Sequence, residues 1–282
     1  MAIASTFNAR DPAVYERSMG RWSRRLAAGF VAFAGLAAGD AVLDVGCGTG
    51  SLLHHLSTCP EAPVLTGIDA SPLYLAAARA RHPDWTVLEG DACAIPFPNS
   101  TFDRVLSQLV LQFIPNAGDA VREMVRVARP GGVVAAAVWA SGGGMVAQRI
   151  FLDTAALLDP AADRLRAHTF TRPLTSPGEL AALWDEVGLT DIREEAVTIF
   201  MNFAEFADWW DPIASGEGTL GRYVSALGAV QRTLLEKHLR SAYTSGAADG
   251  PRSFAATASV CRGIKGQVVR RPTLTAEPNA SS

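Results

Sequence analysis

The sequence has little of what would place it outside ordinary globular proteins. No apolar run reaches the ~18–20 residues that a membrane-spanning helix needs. The first twelve residues lack the basic start and apolar core of a signal peptide, so we expect a cytoplasmic protein. The net charge of -3 provides no strong basic field for a phosphate backbone, so we expect no nucleic-acid partner.

Cysteine is also scarce. The four cysteines (Cys47, Cys59, Cys93 and Cys261) are widely spaced without a C-x-x-C pair, which indicates neither a zinc site nor a disulfide framework. No acidic or histidine cluster has ligand spacing, so we expect no metal. What the chain does have is 282 residues with 49% hydrophobic content, enough for one large core or for one core and a lid.

The most informative stretch is residues 41–50, Ala-Val-Leu-Asp-Val-Gly-Cys-Gly-Thr-Gly. Its first five residues are typical of a short buried strand, with Asp44 near the carboxyl end. Gly46, Gly48 and Gly50 follow at once, and a helical pattern begins after them. Glycine permits positive φ and, having no Cβ, lets a ligand approach the main chain closely. The stretch therefore predicts a ligand-binding turn in an open α/β sheet.

Two ligand classes use this geometry. The dinucleotide fingerprint G-x-G-x-x-G would need its third glycine at position 51, where Ser51 stands. The spacing present, D-x-G-x-G-x-G from Asp44 to Gly50, resembles motif I of the class I S-adenosylmethionine (SAM) dependent methyltransferases. An NAD(P)-dependent oxidoreductase remains an alternative, as does a turn that serves only helix–strand packing.

A second acid supports the ligand site. Residues 64–69 are typical of a strand that ends on Asp69, followed by Ala70. An acid at this strand tip is placed to accept hydrogen bonds from both ribose hydroxyls. Ser71 as N-cap and Pro72 at the first helical position predict a helix over 72–81. Both NAD enzymes and methyltransferases need this carboxylate, so it indicates the ligand class and not the reaction.

The following segments extend the resemblance. A strand over 86–91 closes on Gly90-Asp91-Ala92, and Ile-Pro-Phe-Pro at 95–98 leads into a strand over 102–107. A helix over 116–129, stopped by Arg-Pro-Gly-Gly, then precedes an apolar strand over 133–139. In this order the segments resemble the class I SAM-dependent methyltransferases, of the type 11-like group that includes ubiquinone and menaquinone biosynthesis enzymes. The resemblance covers residues 13–140.

The resemblance implies an α/β fold: a doubly wound, seven-stranded, Rossmann-like sheet, mostly parallel with an antiparallel edge hairpin, and a helical lid. It implies SAM as cofactor, with Asp91 on the adenine amino group, the Ala92 N–H on the ring, and Ile95 or Leu73 against its faces. The segment 107–113 would border the methyl-transfer cavity. The predicted cofactor-binding residues are Asp44, Gly46, Cys47, Gly48, Gly50, Asp69, Ala70, Asp91, Ala92, Ser107 and Gln108.

The segment before the first strand predicts a helix. Apolar residues recur at steps of three and four over 13–34, arginines lie mostly off that stripe, and Gly20 weakens the helix and could split it. The pattern suits a packed amphipathic helix, a membrane-surface helix, or a cap over the cofactor with Tyr15 or an arginine available to a carboxylate. Residues 15–24 also resemble a leader in a bacterial subgroup of these proteins.

We therefore divide the chain into an N-terminal helical cap (1–35), a SAM-binding Rossmann-like core (36–140), and helical lid insertions with the last two strands (141–266). A disordered tail (267–282) completes it. Ser-Gly-Gly-Gly at 141–144 predicts a flexible joint. Beyond it we expect helices over 147–158 and 179–187, strands over 191–200 and 253–263, and aromatic-rich helices within 203–245.

The expected function is SAM-dependent methylation of O, N or C of a small, apolar or aromatic metabolite; the alternatives are an NAD(P)-dependent oxidoreductase and a non-catalytic SAM-binding subunit. In methyl transfer the cofactor carries the activated group, and a base is needed only when the nucleophile is still protonated. Spacing therefore identifies no catalytic residue. Side chains considered for the acceptor site are His54, His55, His168, His238, Gln108, Gln112 and the pair Trp209-Trp210.

Overall fold

A computed structural model describes residues 11–267. Residues 268–282 of the predicted tail lie outside this described part. The seven strands form a single sheet, and their bounds are β1 Ala41–Val45, β2 Val64–Asp69, β3 Thr86–Glu89, β4 Phe102–Gln108, β5 Ala128–Trp139, β6 Leu189–Phe203 and β7 Arg252–Lys265.

The strand order is β3-β2-β1-β4-β5-β7-β6. Strands β1 to β5 run parallel, while β7 pairs antiparallel with both β5 and β6. This arrangement confirms the predicted doubly wound sheet with an antiparallel edge hairpin. The strand order reverses between β1 and β4, and in open α/β sheets ligands bind at such a switch point, beyond the carboxyl ends of the strands.

Helices cover both faces of the sheet. Helix α1 and helix α2 are joined by a π-helical segment, Glu16–Gly20, and a 3-10 turn, Leu111–Phe113, follows β4. The helices are α1 Pro12–Tyr15, α2 Arg21–Ala34, α3 Ser51–Leu56, α4 Pro72–Arg81, α5 Ala117–Val127, α6 Val146–Leu158, α7 Pro160–Phe170, α8 Glu179–Glu186, α9 Phe206–Ala214, α10 Gly218–Ser225 and α11 Ala229–Thr244. No helix within 11–267 is both long and apolar enough to cross a bilayer.

Local signals explain the elements that flank the turn. The Ser71 hydroxyl accepts a hydrogen bond of 3.3 Å from the Tyr74 N–H, and Pro72 occupies the first helical position, so α4 begins where the sequence predicts. Strands β1 and β2 also have their predicted bounds. They pair in register from Ala41 with Val64 to Val45 with Ile68, which brings both strand ends to the same edge.

Gly20 does not split the N-terminal helix. The chain stays helical through it, with a π-helical turn, and α2 then buries Trp22, Leu26 and Phe30. A Cβ on Gly20 would lie 2.8 Å from the Glu16 carboxyl carbon, so the missing side chain makes room for that carboxylate. The apolar face of α2 is covered by the sheet and the lid, as the packed amphipathic interpretation predicts.

Other features also differ from prediction. Strand β5 already begins at Ala128, before the Arg-Pro-Gly-Gly stretch, because Ala128 pairs with Phe102 across an irregularity in the ladder. Helix α7 was not predicted; Asp159 caps it and Pro160 starts it. The glycine joint is tied to β7, since the Thr257 N–H donates to the Gly144 carbonyl at 2.8 Å.

The lid shares a core with the sheet and the N-terminal helix. One buried cluster combines α2 and α6 with aromatic side chains of α9, α11 and β7. Within it the rings of Phe206, Trp209, Tyr243 and Phe254 pack together, Trp209 stacking on Tyr243 with centroids 5.8 Å apart. The division of the chain at residues 35, 140 and 266 stays a prediction.

Candidate functional site

The turn after β1 is held against the end of β2. The N–H groups of Gly46 and Cys47 both donate to the Ile68 carbonyl, at 2.8 and 2.9 Å. Gly46, Gly48 and Gly50 have φ of 78°, 55° and 86°, in the left-handed region that disfavours any residue with a Cβ. At all three positions a residue with a Cβ would cost about 1–2 kcal/mol.

The three glycines face different surroundings. A Cβ on Gly46 would lie 2.5 Å from a Val110 methyl, and one on Gly50 would lie 2.5 Å from the Trp85 ring. A Cβ on Gly48 would meet only Tyr74, at 3.9 Å. Gly48 is thus the place where the turn leaves its backbone open to a ligand.

Asp69 organises the turn. One carboxylate oxygen accepts the Gly48 N–H and the other accepts the Ser71 N–H, each at 2.8 Å. Burial raises the pKa of Asp69, and these two bonds offset part of that rise. A carboxylate oxygen has two lone pairs, so each can still accept a ligand hydroxyl.

Asp44 is almost completely buried, with 1% exposure, and its Oδ2 has no hydrogen-bond partner among the described residues. Burial, with a contribution from Asp69, raises the pKa of Asp44 well above its usual range. A buried polar atom without a partner is rare and calls for an explanation such as a ligand. A cationic group of a ligand, lying between the Asp44 and Asp69 carboxylates, would give the Asp44 oxygen a partner.

A cavity of about 610 Å³ opens at this edge of the sheet. This size is within the ~300–1,000 Å³ usual for small-molecule sites. Its walls come from the glycine turn and neighbouring strand ends, from the N-terminal helix, and from the lid. The predicted cofactor-binding residues that line it are Asp44, Gly46, Cys47, Gly48, Asp69, Ala70, Asp91, Ala92 and Gln108.

Two of the predicted residues lie behind this lining. Ser107 is fully buried and its hydroxyl donates to the Val45 carbonyl at 3.0 Å, so it ties β4 to β1. Gly50 caps α3 beneath the Trp85 ring. Both support the turn from outside the cavity lining.

The two residues that the resemblance places against the adenine ring also lie outside the cavity lining. Leu73 is 43% exposed, and Ile95 is buried in the apolar core. Neither lines the cavity; Pro72 and Tyr74, on either side of Leu73, do. Successive residues in the first turn of α4 point in different directions, which explains why Leu73 misses the site.

The N-terminal helix forms one wall, as expected for a cap. Tyr15, Arg21 and Trp22 line the cavity. Desolvation raises the pKa of Tyr15 to about 12, so its hydroxyl stays protonated. The Arg21 guanidinium forms an ion pair of 2.8 Å with Asp208 of α9, which links this wall to the lid.

The backbone turns sharply after β4. Leu109 has φ of 64°, an uncommon conformation for a branched side chain, and its N–H donates to the Ala137 carbonyl at 2.7 Å. Such left-handed positions cost ~1–2 kcal/mol and cluster at functional sites. The turn places Gln108 and Gln112 in the cavity wall.

Several buried polar atoms in the cavity wall have no partner among residues 11–267. Gln108 and Gln112 each donate through their amide nitrogen to a carbonyl, Ser23 and Leu109 respectively, and leave the amide oxygen unpaired. The Trp139 indole N–H and the Thr169 hydroxyl are unpaired as well. These groups lie on β4, the 3-10 turn after it, β5 and α7, and are available to a ligand.

The histidines considered for the acceptor site do not line the cavity. His168 is exposed, and the adjacent Thr169 lines the wall. His54 lies 3.2 Å from His82 on the surface, and His238 is exposed on α11. Trp209 contributes to the wall as well as to the lid core, whereas Trp210 stacks on Phe206 within the core.

The sequence-based site omitted most of the lid contribution. Thr169, Arg172 and Glu217 of the lid line the cavity without having been predicted to do so, as do Tyr74 and Trp139 of the core. For Tyr74 a signal existed, since it lies in the first turn of the helix that follows Asp69. The lid residues carry no comparable motif. Within 11–267 no group of three or more His, Cys, Asp or Glu side chains is arranged to hold a metal ion.

Comparison with known proteins agrees with this geometry. Residues 43–136 match the family model described as a methyltransferase domain. The malonyl-[acyl-carrier protein] O-methyltransferase of Pectobacterium atrosepticum is 38% identical over 101 residues, which cover 36% of this chain and 39% of that protein. The demethylmenaquinone methyltransferase of Bacillus licheniformis is 28% identical over 173 residues, 57% of this chain and 75% of that protein. Most of the curated relatives are thus matched over about two fifths of their length.

Solved structures share the fold. The YcgJ protein of Bacillus subtilis superposes with a TM-score of 0.56 at 19% identity, covering 88% of this chain and 99% of that one. A Haemonchus contortus phosphoethanolamine N-methyltransferase 2, solved with S-adenosyl-L-methionine, gives a TM-score of 0.55 at 16% identity over 91% of this chain and 57% of that one.

The sheet order, the glycine turn and the matched domain together define a SAM-binding, Rossmann-like fold. Residues 43–136 match a methyltransferase domain, and the chain shares the fold of the SAM-dependent methyltransferase family. The site fits the cofactor of that family on two observations. Gly48 leaves backbone open beside Asp69, and the buried Asp44 oxygen lacks a partner in the described chain.

Proposed function

We propose that this protein transfers a methyl group from SAM to O, N or C of a small molecule with an apolar or aromatic body. The observation that carries the proposal is the continuity of the cavity. It extends from the glycine turn and Asp69 to a lid wall that contains Phe203, Trp209 and Met201. A cofactor and an acceptor would therefore share one enclosed space.

We further propose that the residues at the two ends of this cavity have separate tasks. Asp44, Gly48 and Asp69 would hold the cofactor, with Asp91 and Ala92 on its adenine side. SAM, when bound, supplies the activated methyl group. The chain's own contribution is to hold the acceptor atom at near-attack distance, ~3–3.5 Å, and to exclude water. Gln108 and Gln112, whose unpaired oxygens line the wall, are the proposed orienting groups.

The surroundings of the glycine turn argue against the dinucleotide alternative. A pyrophosphate would need an open, positively polarised helix N-terminus. Instead the Trp85 ring covers Gly50 at the start of α3, and the Thr49 hydroxyl already donates to the Glu16 carboxylate. This helix start is therefore covered by the chain's own side chains and is not open to a pyrophosphate.

Binding and turnover together test the proposal. Calorimetry should detect both SAM and S-adenosylhomocysteine at ~100 μM and should detect neither NAD nor NADP. Incubation with methyl-labelled SAM and small-molecule extracts should then label a low-molecular-weight product. Absence of SAM binding would remove the proposal, whereas binding without any labelled product would favour a non-catalytic SAM-binding subunit. The cytoplasmic location and the absence of a nucleic-acid partner stay predictions.

A further inference from the structure

One cation in the cavity wall has no counter-ion in the described chain. Arg172 follows α7 and lines the cavity, with its guanidinium carbon 4.8 Å from the centre of the Phe113 ring. Within residues 11–267 no carboxylate pairs with it, and the charged group that acts on it is Arg222, of the same sign. Burial, reinforced by Arg222, lowers the pKa of Arg172.

The other arginines that lie over aromatic rings in the described chain each have a polar partner. Arg21, Arg149 and Arg240 each bind an aspartate, at 2.7 to 2.8 Å. Arg252 and Arg262 donate to backbone carbonyls. Ring stacking therefore does not account for leaving Arg172 without an acceptor, since elsewhere in this chain stacking and pairing occur together.

A second observation at the same wall points to a ligand. Thr169 precedes Arg172 by three residues and also lines the cavity. It is 1% exposed, and its hydroxyl has no hydrogen-bond partner in the described chain. The guanidinium supplies donors in a planar fork and the hydroxyl supplies one more, a set that suits an oxyanion.

We propose that Arg172, assisted by Thr169, binds an oxyanion of the methyl acceptor, so that the acceptor is an apolar or aromatic molecule carrying a carboxylate or a phosphate. This inference rests on the proposed function, because it assigns the glycine-turn end of the same cavity to SAM. The oxyanion is an anchor for the acceptor, and Arg172 acts as a binding residue.

The test uses three small probes that share a phenyl group: phenylacetate, phenyl phosphate and the neutral phenylacetamide. Each is titrated by calorimetry into the full chain, with and without S-adenosylhomocysteine. We expect the wild-type protein to bind at least one anion ~10-fold or more tightly than the amide, as a charge-assisted hydrogen bond requires. The stronger anion identifies the carboxylate or the phosphate as the preferred group.

Variants separate the anion site from a structural role. In Arg172→Gln the affinities for the anion and for the amide should agree to within ~2-fold, and Arg172→Lys should retain part of the preference for the anion. Arg149→Gln is the matched control, because Arg149 also stacks on a ring (Phe170) but pairs with Asp153 outside the cavity. It should leave the ratio of the two affinities unchanged. A purely structural Arg172 would alter stability without changing the ratio.

Three results would overturn the inference: no anion preference in the wild-type protein up to ~10 mM probe, a preference that persists in Arg172→Gln, or a loss of S-adenosylhomocysteine binding in that variant. The last would assign Arg172 to the cofactor's carboxylate. The probes are also titrated without S-adenosylhomocysteine, so the anion preference is measured independently of cofactor binding. The preference can therefore hold or fail whether or not the wild-type protein binds S-adenosylhomocysteine. Failure of the proposed function is therefore distinguishable.

Discussion

The Tyr74 hydroxyl donates a hydrogen bond of 3.0 Å to the Glu217 carboxylate across 143 residues of sequence. Tyr74 belongs to the first turn of α4, beside Asp69, whereas Glu217 directly precedes α10 of the lid. The second Glu217 oxygen accepts the Asp11 N–H at 3.2 Å. Glu217 therefore connects lid, core and N-terminal segment at the edge of the cavity.

This contact predicts a measurable coupling between lid and core. Burial, reinforced by Glu217, raises the pKa of Tyr74 far above its ordinary value, so the hydroxyl remains a donor throughout the accessible pH range. In a double-mutant cycle of Tyr74→Phe and Glu217→Gln, measured by urea unfolding, we expect a coupling free energy of ~1–3 kcal/mol. Additive effects of the two changes would show that the bond contributes nothing to lid closure.

Asp69 gives a prediction for the cofactor. Asp69→Asn keeps the side-chain shape but removes the charge and one acceptor from the Gly48 and Ser71 N–H groups. We expect S-adenosylhomocysteine binding to weaken by ~1–3 kcal/mol, measured by calorimetry. Asp185→Asn, at an exposed position of α8, is the control and should bind normally. An unchanged affinity in Asp69→Asn would show that the ribose assignment is wrong.

Asp44 gives a prediction for stability and pH. The pKa of this carboxyl is raised in the folded state by burial and by Asp69, so the folded protein holds the proton more tightly than the unfolded chain does. The ligand-free protein should therefore lose stability as the pH rises from the unfolded-state pKa, ~3.9, through the folded-state value. Asparagine at position 44 cannot ionise, so the Asp44→Asn variant does not lose stability in this way as the pH rises.

We expect Asp44→Asn to be more stable than the wild type at pH 7.5 without ligand by ~1–2 kcal/mol, a rise of roughly 2–8 °C in Tm. The difference should shrink as the pH is lowered toward 4, and thermal melts across this range measure it. The same variant should bind SAM less tightly, because the charge that faces the cofactor is gone. Equal stabilities at pH 7.5 would contradict a costly buried charge at Asp44.

Gly46 gives a prediction that separates backbone strain from close packing. Gly46→Ala places a Cβ at φ of 78° and 2.5 Å from a Val110 methyl. Gly39 has a similar φ of 73° but nothing within 4 Å, so Gly39→Ala measures the conformational cost alone. We expect about 1–2 kcal/mol of destabilisation for Gly39→Ala and a further ~1–3 kcal/mol for Gly46→Ala.

Combining Gly46→Ala with Val110→Ala tests the packing part directly. The smaller side chain at 110 removes the methyl that the new Cβ would meet, so the double variant should recover some of the loss in thermal stability. If the stability losses of Gly46→Ala and Val110→Ala simply add in the double variant, the loss in Gly46→Ala comes from the backbone conformation and not from contact with Val110.

The elements next to the glycine turn could be predicted because their signals are local. Strands β1 and β2 and helix α4 have the predicted bounds, since an apolar run, a capping serine and a proline act over a few residues. Asp69 and Gly48 follow from the same short stretch. The seven-stranded sheet was predicted by resemblance, because the segments occur in a characteristic order.

Neighbouring residues of β4 show where this reasoning ends. Ser107 and Gln108 were predicted together, yet Ser107 bonds to the Val45 carbonyl and Gln108 lines the cavity. Side chains alternate along a strand, and the end of β4 is buried on both faces and carries adjacent polar residues, so no pattern tells which residue faces the ligand.

The sequence by itself determined the glycine turn and the acid beside it, because each depends on residues close together in the chain, whereas the sheet was predicted from the resemblance of the ordered segments. Only the tertiary structure decided what the far end of the cavity contains. Thr169 and Arg172 reach it from one lid segment, at the end of α7, through the packing of a shared apolar core. Apolar burial is non-directional, so it stabilises the packing of the lid on the sheet without a specific sequence pattern. The sequence therefore does not indicate which polar residues of the lid come to line the site.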